Sequence, residues 1–179
     1  SSHAVPDVYL IRSVFMYGVA ECERSRIAGS YLDRGDLSAF GEMMNISHDG
    51  DRVVSWNDER ETTPFRWTAD DEYLDARIDD LRSEDPERVL NGQIIRLPGG
   101  YACSTKETDF IVDLALSVPG VIGAQLSGAG LGGCVMILVE NDSHKTLCDT
   151  LIEKYYVPRK LEDGITTCFP VKGATVLAL

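Results

Sequence analysis

The longest stretch without a charged side chain, residues 114–139, has the pattern of a buried hairpin. On length alone it is sufficient for a membrane-spanning helix, which needs about 20 apolar residues. Pro119 and a series of six glycines are incompatible with such a helix. The apolar runs Ile122–Leu126 and Cys134–Val139 instead predict two strands that are joined by a glycine-rich turn.

Three glycines of this turn, Gly128, Gly130 and Gly133, match the G-x-G-x-x-G spacing of dinucleotide-binding loops. Such a loop must lead directly into a helix, whose free N–H groups bind the pyrophosphate. Here it leads into a predicted strand, and no Lys-Ser or Lys-Thr pair follows, so a P-loop is excluded as well. Two interpretations stay open: the glycines supply positive φ for a tight turn, or they let the backbone approach another group closely.

The segment Gly123–Cys134, with the sequence GAQLSGAGLGGC, resembles the third signature of the GHMP sugar and metabolite kinases, and in particular of the galactokinase branch. In that family the hairpin belongs to the C-terminal domain and supports the phosphate-binding loop of the other domain. The resemblance therefore implies a set of small residues beside the bound ATP. These are Ser127, Gly128, Ala129, Gly130, Leu131, Gly132 and Gly133.

Two helices are predicted ahead of the hairpin, because apolar positions recur there at helical spacing. The first runs from Val8 to about Asp33, with Asp7 as its cap. Its packing face is expected to consist of Ile11, Phe15, Val19 and Cys22. Asp36 caps the second helix, in which the apolar positions are Leu37, Phe40, Met43 and Met44.

The second helix leads into Met44–His48, and the segment Arg34–His48 resembles the R-G-D-L-x-x-F-G-x-x-M-N-x-S-H wording of galactokinases. His48 has two interpretations, as a capping or packing residue or as a general base. Because the sequence shows no acidic partner beside it, we leave His48 out of the catalytic set. No catalytic residue is assigned to this chain.

The family pattern is interrupted between about residues 51 and 100 by a charged insertion. Within it, Tyr73–Leu81 predicts a short acidic helix and Pro86 begins a further turn or helix. Trp56 and Trp67 also belong to the insertion. Each of them can either pack against the protein or stack on the C–H face of a sugar.

The glycines of Leu97–Thr105 are a second candidate for a phosphate loop, which we reject. Ser104 and Glu107 have the spacing of a capping box, which uses the free N–H groups of the following helix and places a carboxylate there. Tyr101–Asp109 instead resembles the Y-x-x-S-x-x-E-x-D segment of galactokinases. The helix that follows carries Phe110, Ile111, Leu114 and Ala115 on one face.

Beyond the hairpin, the pattern predicts one helix and two final strands, Thr166–Val171 and Ala174–Leu177. The buried side of that helix is expected to hold Leu147, Leu151, Ile152 and Tyr155. The predicted fold class is α+β, with an antiparallel sheet packed against helices as in the ferredoxin-like C-terminal domain of GHMP kinases. The domain is expected to cover residues 1–179, including the insertion.

Charge and cysteine content narrow the function classes. The net charge of −12 argues against nucleic acid and anionic membranes as partners. The five cysteines are odd in number and widely spaced, which is typical of reduced thiols in a cytoplasmic protein. They form no C-x-x-C, and the three histidines are isolated, so we expect no metal site.

The resemblance implies an ATP-dependent sugar 1-kinase of galactose metabolism. The galactose signature, the phosphate loop and the reaction-centre residues of that family belong to an N-terminal half that these residues do not contain. ATP, Mg²⁺ and the monosaccharide are therefore expected to bind mainly through that missing half, and the chain is expected to be a fragment that is inactive by itself. The alternative is a non-catalytic module of the same fold that senses a sugar or metabolite or mediates dimerisation.

Overall fold

The structure is a computed structural model that describes residues 9–57, 61–67, 69–128, 130 and 133–169. Helices α1 (Ile11–Asp33) and α2 (Leu37–Asp51) come first, followed by a small hairpin of β1 (Val54–Trp56) and β2 (Thr62–Pro64). Three helices then precede the main hairpin; they are α3 (Asp71–Leu81), α4 (Pro86–Gly92) and α5 (Lys106–Leu116). The hairpin consists of β3 (Val121–Ser127) and β4 (Cys134–Val139), and α6 (His144–Leu151) continues through an i→i+5 turn, Ile152–Tyr156, into α7 (Val157–Arg159).

The two strands of the uncharged stretch form an antiparallel pair, as predicted. The second strand has the predicted bounds, and the first extends one residue further at each end. Ser127 pairs with Cys134 at the closed end, and a bulge between Val121 and Gly123 interrupts the register at the other end. The hairpin packs against α5 and α6, and its core cluster consists of Val112, Ala115, Val118, Ala124, Leu147 and Leu151.

The α+β fold class is confirmed, with helices around small antiparallel sheets. The outcome differs for the final pair of predicted strands, Thr166–Val171 and Ala174–Leu177. Residues 161–169 contain no strand, and positions 170–179 lie outside the described residues. No helix in the described ranges is long and apolar enough to cross a membrane.

Helix α1 packs with a different face from the one that the sequence predicted. Ile11 and Phe15 are exposed, at 74% and 68%, while Ala20 and Arg24 are buried. The prediction was wrong because it followed hydrophobicity alone. Arg24 can be buried because its guanidinium donates to the Ile95 and Leu97 carbonyls and pairs with Glu21. The predicted cap, Asp7, lies outside the described residues.

Helix α2 begins as predicted, because the Asp36 carboxylate accepts a hydrogen bond from the Ala39 N–H at 3.1 Å. Its most demanding contact is with β3. A Cβ placed on Gly41 would lie 2.3 Å from the Ile122 carbonyl oxygen, and one placed on Gly123 would lie 2.7 Å from the Gly41 Cα. Helix and strand therefore meet backbone to backbone, with no room for a side chain at either position.

This contact makes Gly41→Ala destabilising even though alanine is the better helix former. We expect a loss of about 1–3 kcal/mol, because the added methyl group meets a backbone oxygen that cannot rotate away. Gly29→Ala is the matched control, since Gly29 lies in α1 with no other atom within 4 Å of its Cβ position. That variant should gain roughly 0.5–1 kcal/mol. Urea denaturation of both variants measures the difference, and equal stabilities would contradict the close contact.

Candidate functional site

The glycine bend, defined here as residues 127–133, closes the hairpin between β3 and β4. Gly128, Gly130 and Gly133 have φ values of +93°, +81° and +140°, so all three use the conformation that favours glycine. The turn interpretation is therefore confirmed for these positions. Three further members of the predicted ATP-contacting set, Ala129, Leu131 and Gly132, lie outside the described residues.

The bend has an open side and a packed side. Gly128 is exposed, and among the described residues other than its chain neighbours no atom lies within 4 Å of the position that a Cβ would take. Gly133 is also exposed, with the Ser127 carbonyl oxygen 3.5 Å from its Cβ position. Gly130 faces the protein instead, because a Cβ there would lie 2.2 Å from the Cys103 carbonyl oxygen. The close-approach interpretation thus holds for Gly130, and the approach is to this chain itself.

Strand β3, which leads into the bend, is held along its free edge by side chains of α2. Asn45 Oδ1 accepts from the Ala124 N–H at 2.9 Å, and His48 Nδ1 accepts from the Leu126 N–H at 3.3 Å. Gly41, Asn45 and His48 are spaced four and three residues apart, so they share one helix face. The M-N-x-S-H segment therefore satisfies two backbone donors of β3 that no strand of the described residues pairs.

His48 is fully buried, at 1% exposure, and both ring nitrogens face groups of the chain. Because Nδ1 accepts from Leu126, a neutral ring carries its proton on Nε2. Nε2 lies 3.3 Å from Asp109 Oδ1, and neither atom has another hydrogen-bond partner among the described residues. The acidic partner that the sequence did not reveal is therefore Asp109. Its burial fits the packing interpretation of His48, since a ring enclosed in this way has no surface to offer a substrate.

Asp109 fixes a second backbone segment. Its other oxygen, Oδ2, accepts from the N–H groups of Val53 and Val54 at 3.0 and 2.9 Å. Burial by itself raises the pKa of this carboxyl, but the facing His48 ring and the hydrogen bonds from the backbone N–H groups of Val53 and Val54 outweigh burial and hold the pKa below its ordinary value. Asp109 is thus an ionised carboxylate of α5 that contacts α2 and β1.

The loop at Leu97–Thr105 is unavailable to phosphate, as predicted, although partly for a different reason. The N–H groups of Gly100, Tyr101, Ala102 and Ser104 all donate to carbonyls of the protein, at 2.8–3.1 Å. The predicted Ser104 cap was wrong by one residue. Thr105 caps α5, its hydroxyl accepting from the Thr108 N–H at 3.2 Å, because the Ser104 N–H is already used by the Asp51 carbonyl.

Both tryptophans of the insertion contact protein groups. The Trp56 indole donates to the Lys106 carbonyl at 3.1 Å and packs edge to face on Phe110, with centroids 4.9 Å apart. Trp67 makes an edge contact with Tyr73, also at 4.9 Å. The packing interpretation is the one these contacts favour.

In the described ranges, no three His, Cys, Asp or Glu side chains converge in a way that could hold a metal ion.

Comparison with known proteins agrees with this arrangement. Residues 78–157, which include the hairpin and the helices on both sides of it, match the family model described as GHMP kinases C terminal. The chain carries a GHMP kinase C-terminal domain. The recognition of a galactokinase-like domain from the Gly123–Cys134 wording is thereby confirmed.

The relatives of this GHMP kinase C-terminal domain include several galactokinases. One from Exiguobacterium sibiricum is 34% identical over 140 residues, which cover 76% of this chain and 35% of the relative. One from Chloroflexus aurantiacus is 33% identical over 151 residues, covering 83% of this chain and 27% of the relative. The galactokinase of Bos taurus is 28% identical over 138 residues, or 77% and 24% of the two chains. The chain thus spans about a quarter to a third of the length of these relatives.

The central role of Asp109 gives a pH-dependent prediction for Asp109→Asn. Removing the charge should cost roughly 2–4 kcal/mol at pH 7, because the amide satisfies neither His48 nor both backbone donors fully. The folded pKa lies below the ordinary value of about 4, so the ionised carboxylate adds stability above that value. This contribution is lost as the pH falls through the folded pKa, and the difference between the two proteins should shrink below pH 4.

Denaturation curves between pH 2.5 and 7 measure this difference. Asp79→Asn is the control, because Asp79 is exposed and lies 3.9 Å from Arg82 in a surface pair. That variant should stay within about 0.5 kcal/mol of the unaltered chain. An Asp109→Asn penalty that is constant over the whole pH range would show that the charge of Asp109 does not matter.

Proposed function

We propose that this chain is the C-terminal part of an ATP-dependent sugar 1-kinase, and that the glycine bend closes the nucleotide pocket against an N-terminal domain. The observation that carries the proposal is the open side of the bend at Gly128 and Gly133. Small residues with positive φ on an exposed hairpin tip let another backbone approach closely. The relatives described above are galactokinases, which supports galactose as the first sugar to test.

The absence of charge around the glycine bend indicates how this chain and the N-terminal domain share the binding of the substrates. Phosphoryl transfer requires positive charge and usually Mg²⁺ around the transferring group. Residues 114–139, including the whole bend, are uncharged. This chain therefore contributes shape to the pocket, while the N-terminal domain binds most of the ATP, the Mg²⁺ and the monosaccharide. The intact protein is proposed to be cytoplasmic.

An ADP-release assay tests the function directly. The full-length protein, expressed from its gene, should release ADP in a sugar-dependent manner with a panel of monosaccharides that includes galactose. Residues 1–179 alone should give no turnover, because they contain no phosphate loop. Turnover by residues 1–179 alone would contradict the proposal. So would a gene without an upstream kinase half, which would favour a sensing or dimerisation module.

Gly128→Ala tests the role of the bend in the full-length protein. The added methyl group meets no atom of the described residues beyond its chain neighbours, so the internal cost expected from them is that of the positive φ, about 1–2 kcal/mol. If the phosphate-binding domain closes onto Gly128, the added methyl group should raise KM for ATP by about tenfold or more, which corresponds to roughly 1.4 kcal/mol of lost binding. KM for the sugar should change little.

Gly35→Ala is the matched control for this experiment. Gly35 also has a positive φ, +70°, and no atom lies within 4 Å of its Cβ position, but it follows α1 rather than β3. It reproduces the backbone strain without touching the bend. Equal KM values for ATP in the two variants would remove Gly128 from the nucleotide pocket.

A further inference from the structure

A chain of half-buried hydrogen bonds, centred on the buried Asp51, runs from α1 to the loop beneath the glycine bend. The Tyr17 hydroxyl donates to Asp51 Oδ2 at 2.9 Å, and the Cys103 thiol lies 3.0 Å from Asp51 Oδ1 and donates to it. Asp51 is the last residue of α2 and is only 5% exposed. Its two oxygens therefore join side chains from two separate segments at the end of this helix.

The backbone fixes the same loop independently. The Gly50 carbonyl accepts from the N–H groups of both Tyr101 and Ala102, and the Asp51 carbonyl accepts from the Ser104 N–H. Ala102 has a φ of +55°, a conformation that residues other than glycine rarely adopt. A strained residue of this kind persists only where its surroundings hold it in place. The position of Cys103 is thus set by the end of α2.

Cys103 in turn sets the position of the bend. A Cβ on Gly130 would lie 2.2 Å from the Cys103 carbonyl oxygen and 2.7 Å from its sulfur, so Gly130 packs directly against Cys103 with no room for a side chain. Gly128, two residues earlier, has no such support. The position of Gly130, on the packed side of the bend, therefore depends on Cys103. Gly128, on the other side, is exposed.

The protonation states suit this arrangement. Burial, together with the Asp51 carboxylate, raises the pKa of the Cys103 thiol to about 12, so it remains a hydrogen-bond donor at neutral pH. Burial also raises the pKa of the Asp51 carboxyl, although the hydrogen bonds from Cys103 and Tyr17 offset part of that effect. A thiol of this kind is a structural contact and not a nucleophile.

We propose that Asp51 is a positioning residue for the nucleotide pocket: acting through Cys103, it holds Gly130 and therefore the glycine bend in the conformation that closes over ATP. This inference rests on the proposed function and adds to it a specific residue outside the bend. An aspartate that served stability alone would require no particular orientation of Cys103. Here, removing the carboxylate takes the acceptor from two half-buried donors, and we expect the Cys103 side chain to turn away from the end of α2 while the backbone bonds still hold the loop.

The test compares Asp51→Ala and Asp51→Asn in the full-length protein. Hydrogen exchange of the peptide that contains Gly130, KM for ATP, KM for the sugar, kcat and Tm are measured for each. Asp51→Ala should speed exchange in the bend and raise KM for ATP, each by about tenfold, while KM for the sugar stays unchanged. Asp51→Asn keeps an acceptor oxygen and should recover most of both effects. If the alanine variant does not fold, Cys103→Ala replaces it, because that change removes the thiol donor while the Asp51 carboxylate and its bond from Tyr17 remain.

Asp80→Ala is the matched control for a buried carboxylate. Asp80 is 8% exposed and pairs with Arg77 and Arg88 within the α3 and α4 hairpin, away from the bend. This variant should lower Tm without changing either bend exchange or KM for ATP.

The outcomes separate the inference from the proposed function. If Asp51→Ala behaves like Asp80→Ala, with a lower Tm and an unchanged bend, Asp51 is not a positioning residue. If exchange in the bend rises but KM for ATP does not, the bend does not meet ATP and the proposal is overturned at that step. Absence of sugar-dependent ADP release by the unaltered full-length protein is the failure of the proposed function itself, and it is visible before any variant is made.

Discussion

The backbone contact between α2 and β3 is the constraint on which the rest of the structure depends. Only a helix without a side chain at position 41 can lie close enough for Asn45 and His48 to reach the N–H groups of β3. The side chains of the helix thereby accept hydrogen bonds from the edge of the sheet, which a neighbouring strand would otherwise accept. Once α2 is placed in this way, its C-terminal end lies beneath the loop that supports the glycine bend.

Buried charge connects the segments that flank this contact. Asp109 bonds to β1 and faces His48, Arg52 pairs with Asp113 of α5, and Arg24 of α1 binds carbonyls near residue 96. Each of these groups has several partners, which offsets the cost of removing it from water. The charged insertion is therefore tied to the family-like parts of the chain through specific polar contacts in addition to apolar packing.

Sequence reasoning succeeded where one local pattern decides the structure. The hairpin, the Asp36 cap and the acidic helix α3 all follow from features a few residues apart, whereas the Leu97–Thr105 loop was rejected correctly but is occupied mainly by carbonyls distant in sequence. It failed where distant residues meet. Asp109 is more than fifty residues from His48 in sequence, and no local pattern pairs them, so the histidine seemed isolated.

The packed face of α1 was missed for a related reason. Burying Arg24 is favourable only because carbonyls of the insertion accept its hydrogen bonds, and the insertion had no family pattern to align it. The hairpin of β1 and β2 was missed as well, since two three-residue strands carry too little periodicity to be recognised. The sequence likewise could not show that Gly128 lies on the open side of the bend and Gly130 on its packed side. Glycine spacing alone does not distinguish these two positions.

The meeting of Gly41 and Gly123 has a mechanical consequence. Side chains between two elements usually act as a compliant layer, because they can change rotamer while the backbones shift relative to each other. At Gly41 and Gly123 no such layer separates the two backbones, so we expect α2 and β3 to shift together at this point. A displacement of the hairpin should therefore also displace the helix that packs on it.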